Sequence, residues 1–259
     1  MVAMAWTRRY DDPEPQRVNK WLAQSGVCSR REAEGLIAQG LVFIDGERVD
    51  DAGRKILQGQ TLVLNDSAQE KLSSSLSIVL HKPMGIVSSL PQDDQVEAVT
   101  LLTRDALWGG EATIPTAANN LAPLGRLDRE SRGLLVLSED GVLAKALIGP
   151  ESEMDKEYNV LLTGVITPQK IALLRHGLEL DGRKLRPAKV TQVTEQKLNI
   201  VLKEGRNRQI RRMAELVELR VVDLMRVRVG PLKLGDLPEG KWRPLSAEER
   251  AALITASKG

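Results

Sequence analysis

From Leu76 to about residue 250 the chain alternates short strand-like runs with helix-like stretches, and this alternation limits its fold more than any other feature. SIVLHK, GLLVLSED, KEYNVLLTG, LNIVLKEG and LRVVDLMRVRVG have the apolar, β-branched character of strands. GVLAKALIG, TPQKIALLRHG and NRQIRRMAELV read as helices, the second with Thr167 as cap and Pro168 at the first helical position. In the third, Ile210, Met213, Ala214 and Val217 form one apolar stripe, and Arg208, Arg211 and Arg212 share another face. Strands with interspersed helices predict an α+β domain over 76–250. Pro83 and Gly85 break the first strand, and the irregular stretch 91–122 predicts a functional or mobile loop. No internal repeat is visible.

Residues 17–64 predict a separate small unit. RVNKWLAQSG places Val18, Leu22 and Ala23 on one helical stripe and stops at Gly26. Ser29-Arg30-Arg31-Glu32 is a capping box that opens a second helix, which Gly40 ends. LVFIDGERV and TLVL follow as strands, with a turn at Asp45-Gly46. The order is therefore helix, helix, then a small sheet. NDSAQEKLSSS, residues 65–75, is polar and serine-rich and predicts a flexible linker.

Bulk composition says little about partners. The 37 basic and 35 acidic side chains leave a formal net charge of +2, so nucleic-acid binding must come from local clusters. Only seven aromatic residues are present (one Phe, four Trp, two Tyr), which excludes a platform of several stacked rings. The two tyrosines are Tyr10, in a polar N-terminal arm, and Tyr158. No apolar run is long enough to span a bilayer, and MVAMAWTRRYDDPEP is not a secretory leader. Cys28 is alone, with only His81 and His176 as further soft ligands, so neither a disulfide nor a metal site is expected. A reducing cytoplasm fits, and nothing proposes a membrane or an oligomer interface, so a monomer is expected.

Two clusters emerge beneath the neutral total. Arg17, Lys20, Arg30 and Arg31 stand in the first unit with no acid between Arg17 and Arg31. Read alone, four charges fit a solvated face. However, RVNKWLAQSGVCSRREAEGLIAQGLVFIDGERV resembles the small RNA-binding module named after protein four of the small ribosomal subunit. That resemblance implies RNA binding by these four residues but no chemistry. The second cluster spans 205–230, where seven arginines and no lysine face Glu215, Glu218 and Asp223. Arginine without lysine suggests planar, bidentate contacts with phosphate or a buried carboxylate.

Asp128 stands between Arg126 and Arg129, just before a buried-looking strand. Read alone, one aspartate among 35 acids caps a turn or pairs with an arginine. The surrounding string GRLDRESRGLLVLSEDG resembles the catalytic motif of RNA pseudouridine synthases of the RsuA family, which modify bacterial ribosomal RNA. Lys156-Glu157-Tyr158 is similar to the lysine-x-tyrosine of such families, and GRNRQIRRM to their third motif. The resemblance implies a catalytic domain with a mixed, largely antiparallel sheet and no cofactor. It implies Asp128 as the essential carboxylate and Tyr158 as the ring that stacks on the extruded uracil. Arg206 is expected to pair with Asp128, with Arg211 as second choice, and Arg126 to fill the space the flipped base leaves. Lys156 belongs to the substrate set, and Arg208 and Arg212 are expected to hold phosphates.

The expected partner is ribosomal RNA, the large subunit slightly favoured, or a ribosome-assembly intermediate. Transfer RNA is an alternative, as is a non-catalytic RNA-binding assembly factor. A uracil glycosylase is remote, because no second acid–base group is evident. The resemblance departs at 91–122 and in the C-terminal tail, where target choice is expected to reside.

Overall fold

The structure, a computed structural model, describes residues 6–257. The chain falls into two compact units, residues up to Leu76 with Ser138–Lys145, and Ser77–Leu137 with the residues from Ala146 onward.

In the first unit, β1 (Trp6–Arg9) and β2 (Gln16–Arg17) precede α1 (Val18–Ser25) and α2 (Arg30–Ala38). β3 (Val42–Ile44), β4 (Glu47–Arg48), β5 (Lys55–Ile56) and β6 (Thr61–Leu64) follow. One sheet has the order β1-β6-β3-β4, and β2 pairs with β5. The predicted capping box is present at Ser29 and Glu32, and α1 ends at Gly26 in the left-handed conformation. Asp45 and Gly46 both have positive φ (49° and 85°), as a two-residue turn between β3 and β4 requires. Val18, Leu22, Leu36, Ile37, Val42, Ile44, Leu62 and Leu64 form the core.

Two expectations about this unit change. The segment 65–75 is not extended linker: Asp66–Ser73 is a helix, α3, capped by the Asn65 side chain on the Ala68 N–H. Ala68 is buried in the core and Leu72 packs against it, so two apolar positions outweigh the polar composition. Tyr10 does not lie in a polar arm either. It is buried, edge-on to Trp21, and its hydroxyl donates to the Glu14 carbonyl, while β1 extends the sheet before residue 17. The reading of the N-terminal residues as no leader falls partly on positions 1–5, outside the described residues.

After these elements come β7 (Ser77–Lys82), β8 (Ala122–Pro123), β9 (Arg132–Ser138), α4 (Gly141–Ile148, whose first five residues belong to the first unit) and β10 (Lys156–Thr163). Next come α5 (Pro168–Arg175), β11 (Glu179–Leu180), β12 (Arg183–Lys184), β13 (Lys189–Thr194) and β14 (Lys197–Leu202). The chain ends with α6 (Gln209–Leu216), β15 (Arg220–Val229), β16 (Leu232–Lys233), β17 (Trp242–Pro244) and α7 (Ala247–Ala256). The main sheet has the order β13-β14-β10-β15-β9-β7-β17. β10 is antiparallel to both β14 and β15, whereas β9 runs parallel to β15. The sheet is thus mixed and mainly antiparallel, and the α+β expectation holds.

The stripe of Ile210, Met213, Ala214 and Val217 packs α6 against Val160, Ile200 and Leu224, forming one core with α5. A second core gathers Ile78, Leu80, Leu135, Leu137 and Trp242. The stretch 91–122 feeds that core rather than forming an open loop. Ala98 and Leu102 are buried in it, and the Trp242 indole N–H donates to the Thr103 carbonyl at 2.8 Å.

Candidate active site

Within the second unit a pocket of about 390 Å³ is lined by the segments 125–128, 147–149 and 203–210, with Ser131, Ser152, Lys156, Tyr158, Leu224 and Arg226. Asp128 reaches it from a tight turn, closed by the Ser131 N–H donating to the Asp128 carbonyl at 3.0 Å. This turn is fixed on two sides. The buried Ser88 hydroxyl donates to the Leu127 carbonyl (2.7 Å) and accepts from the Leu127 N–H (2.9 Å). Gly85 N–H donates to the Arg129 carbonyl at 2.8 Å, and Arg129 Nε returns a bond to the Gly85 carbonyl. The residues flanking Asp128 are therefore stitched to the segment that follows β7.

Lys82 organises that segment. Its side chain is fully buried, and its Nζ donates to the Pro83 and Ile86 carbonyls at 2.8 and 2.7 Å. Burial brings the ammonium down to about 8, and the Asp128 carboxylate is the strongest of the charges opposing that shift.

α6 holds the other side of the turn. Arg208, its N-cap in the left-handed conformation, pairs with the Glu130 carboxylate, while Arg211 donates to the Glu130 carbonyl at 2.8 Å. The bond to Glu130 raises the Arg208 pKa, with Asp128 contributing; burial lowers that of Arg211, against the pull of Glu130 and Asp128. The charge of Asp128 is thus felt by three cations, Lys82, Arg208 and Arg211.

β10 and β15 supply the remaining wall. The pairing shifts register between Glu157 and Tyr158, where Glu157 faces Arg228 and Tyr158 faces Arg226. Such a bulge re-aims the side chains beside it. Tyr158 is half-buried against both cores and still lines the pocket. Arg226, buried to 1% exposure, donates to the Leu134 and Gly125 carbonyls at 2.7 and 2.9 Å. Lys156 Nζ donates to the Met154 carbonyl at 2.8 Å, and burial, reinforced by Arg226, brings its pKa down to about 8.

The sequence-predicted residues separate here. Asp128, Tyr158, Arg126, Lys156, Arg206 and Arg208 come together around the pocket; Arg211 and Arg212 are not among its lining. Arg206 does not pair with Asp128. Its guanidinium donates to the Leu180, Arg183 and Lys184 carbonyls (3.0, 3.2 and 2.9 Å) and lies 3.5 Å from Glu204. The cause is tertiary, because the fold brings the carbonyls of 180–184 and the Glu204 carboxylate to this guanidinium. Arg212 chelates Asp181 with bonds of 2.9 and 2.6 Å, and Arg208 holds Glu130, so neither is a free phosphate ligand as expected. Ser88, Lys82 and Arg226 are functional candidates that sequence reasoning missed. The Pro83 and Gly85 break was the only local signal for the first two.

The first unit has its own cleft, of about 670 Å³. Arg17, Lys20, Arg30 and Lys55 line it together with Asp12, Glu14 and Glu34; Arg31 does not. Folding therefore brings acids to a group of cations that has none in sequence. Among the described residues, no cluster of three or more His, Cys, Asp or Glu could hold a metal ion, and no helix is long and apolar enough to cross a membrane.

Comparison with known proteins agrees with this geometry. Residues 76–216 match the RNA pseudouridylate synthase family, and residues 16–62 match the S4 domain. The chain is 32% identical over 245 residues to the dual-specificity RNA pseudouridine synthase RluF of Salmonella typhi, covering 94% of this chain and 80% of that protein. It is also 32% identical over 240 residues to the ribosomal large subunit pseudouridine synthase B of Bacillus subtilis, covering 90% and 93%. A solved pseudouridylate synthase superposes with a TM-score of 0.64 at 27% identity, over 92% of this chain and 99% of that one. Sequence motifs, sheet order and these matches converge: the chain belongs to the RNA pseudouridine synthases, as a member of the RsuA type with an N-terminal S4 domain.

Proposed function

We propose that the pocket converts a uridine of ribosomal RNA to pseudouridine and that Asp128 is the residue acting on the nucleotide. One observation carries this reading. The pocket is lined by two carboxylates, and only one is available. Glu204 accepts from the Gln209 amide (2.9 Å) and the Arg186 N–H (3.0 Å) and lies beside Arg206. The Asp128 carboxylate has no ion pair or side-chain hydrogen bond among the described residues, yet Lys82, Arg208 and Arg211 feel its charge. An unengaged carboxylate in a cationic surround suits attack on an electrophilic carbon or removal of a proton.

The reaction breaks the bond from ribose to a ring nitrogen and forms one to ring carbon five. Product and substrate are isomers, so the chemistry calls for no cofactor. Asp128 can attack the anomeric carbon or the pyrimidine ring, or assist removal of a ribose proton. The target base leaves its stack at a cost of a few kcal/mol. Tyr158 stacks on the extruded ring, and the exposed Arg126 fills the gap left in the RNA. Large-subunit RNA is the preferred substrate, since one of the relatives is named for that subunit. Transfer RNA is the second reading, and a relative named dual-specificity accords with more than one target. The enzyme acts as a monomer in the cytoplasm.

Asp128→Asn tests this assignment. Nucleoside mass spectrometry of RNA incubated with the variant should show no pseudouridine, while RNA affinity stays within about twofold of wild type because only one contact polarity changes. Turnover near the wild-type rate would sink the role of Asp128.

A further inference from the structure

All four arginines of the third motif bond to protein: Arg208 and Arg211 hold Glu130, whereas Arg206 and Arg212 hold one small hairpin. β11 and β12 are two residues each, joined by Asp181 and Gly182, both at positive φ (55° and 72°). A ladder this short does not persist without outside support. Arg206 supplies it through the Leu180, Arg183 and Lys184 carbonyls. Arg212 adds two bonds to the Asp181 carboxylate, and Glu204 accepts the Arg186 N–H at 3.0 Å. Two of these anchors, Glu204 and Arg206, are themselves part of the pocket wall.

Docking uses the hairpin's carbonyls and its one tip carboxylate, and leaves its cations outward. Arg183 and Lys184 are exposed and have no ion pair among the described residues. The acids nearby are few. Glu179 lies opposite Lys184 in the ladder, Asp181 is held by Arg212, and Glu153 is shared by Arg186 (3.4 Å) and Lys203 (3.6 Å). We propose that this hairpin is a second RNA-backbone contact, in which Arg183 and Lys184 grip phosphates next to the target nucleotide. The inference rests on the pocket acting on RNA, and it gives Arg206 a positioning role in place of pairing with Asp128. Rigid anchoring is what such a contact needs, because pre-placed cations bind phosphates without first ordering a loop.

The test is the salt dependence of RNA binding by the full-length protein, with an unmodified large-subunit ribosomal RNA transcript as probe. Arg183→Ala combined with Lys184→Ala should reduce the slope of log Kd against log salt by about 1.5, the value for two lost phosphate contacts. A paired control, Lys197→Ala with Lys233→Ala, removes the same charge from exposed positions on β14 and β16. An unchanged slope in the hairpin variant, or an equal drop in the control, overturns the proposal. Pseudouridine formation by the wild-type protein is read separately. Its absence would count against the enzymatic reading alone, whereas an unaltered slope beside normal turnover would count against the hairpin alone.

Discussion

Ser88 holds the Leu127 peptide by both its N–H and its carbonyl, one residue before the carboxylate proposed to do the chemistry. A hydroxyl is the smallest side-chain group that can donate and accept at once, so the position is not open to an apolar residue of equal size. Ser88→Val should therefore leave two buried backbone groups unpaired, costing about 1–3 kcal/mol of stability. Displacement of Asp128 should lower kcat about 10- to 100-fold with little change in KM. Ser88→Thr, which matches Val in bulk and keeps the hydroxyl, should retain most of kcat. Equal kcat in the Thr and Val variants would remove the positioning role. At this scale the sequence was legible wherever a residue stands inside a motif, as Asp128 and Tyr158 do. It was silent on Ser88 because the partner peptide lies 39 residues away, a separation that no local pattern encodes. It misled on Arg206, because the choice between a carboxylate and three carbonyls is made by tertiary packing.

Elements were read better than contacts. The predicted strands and helices after residue 76 recur as β7, β9, β10, β14, β15 and α4 to α6, because each carries its own periodicity and its own stops. α3 was lost, since two apolar residues in a serine-rich stretch are too weak a stripe to recognise. The parallel pairing of β9 with β15 is the element-level feature on which the pocket depends, and it rests on a glycine. Gly133 has φ of 109°, and a Cβ there would lie 2.3 Å from the Arg226 carbonyl oxygen and 2.6 Å from its nitrogen. Both atoms are backbone, so no side chain can yield. Gly133→Ala should destabilise the second unit by roughly 2–4 kcal/mol, from the strained φ and the forced separation of strands. Arg226 bridges the Leu134 and Gly125 carbonyls across the same junction, so activity should fall before the fold is lost. A urea midpoint equal to that of wild type would show that the strands can part without cost.

Taken as a whole molecule, a net charge of +2 concealed two different uses of arginine. In the 205–230 run, Arg206, Arg208, Arg211, Arg212, Arg226 and Arg228 all bond to protein carbonyls or carboxylates. That cluster, the more conspicuous in sequence, is chiefly internal scaffolding, and Arg220 alone of the seven has no described partner. The free cations lie elsewhere, and the S4 domain holds several of them. Arg17, Lys20 and Arg30 line its cleft without a described ion pair, although Asp12, Glu14 and Glu34 share that cleft and weaken its field. If the S4 domain binds RNA while the second unit performs the chemistry, the two contributions are separable in kinetics. Replacing Arg17, Lys20 and Arg30 together by Ala should raise KM for RNA and lower the salt slope of binding by about 2. At saturating RNA, kcat should stay within about twofold of wild type, because uniform binding energy acts on KM and not on the chemical step. A fall in kcat at saturation, with KM unchanged, would mean that the S4 cations act on the pocket rather than on the RNA backbone.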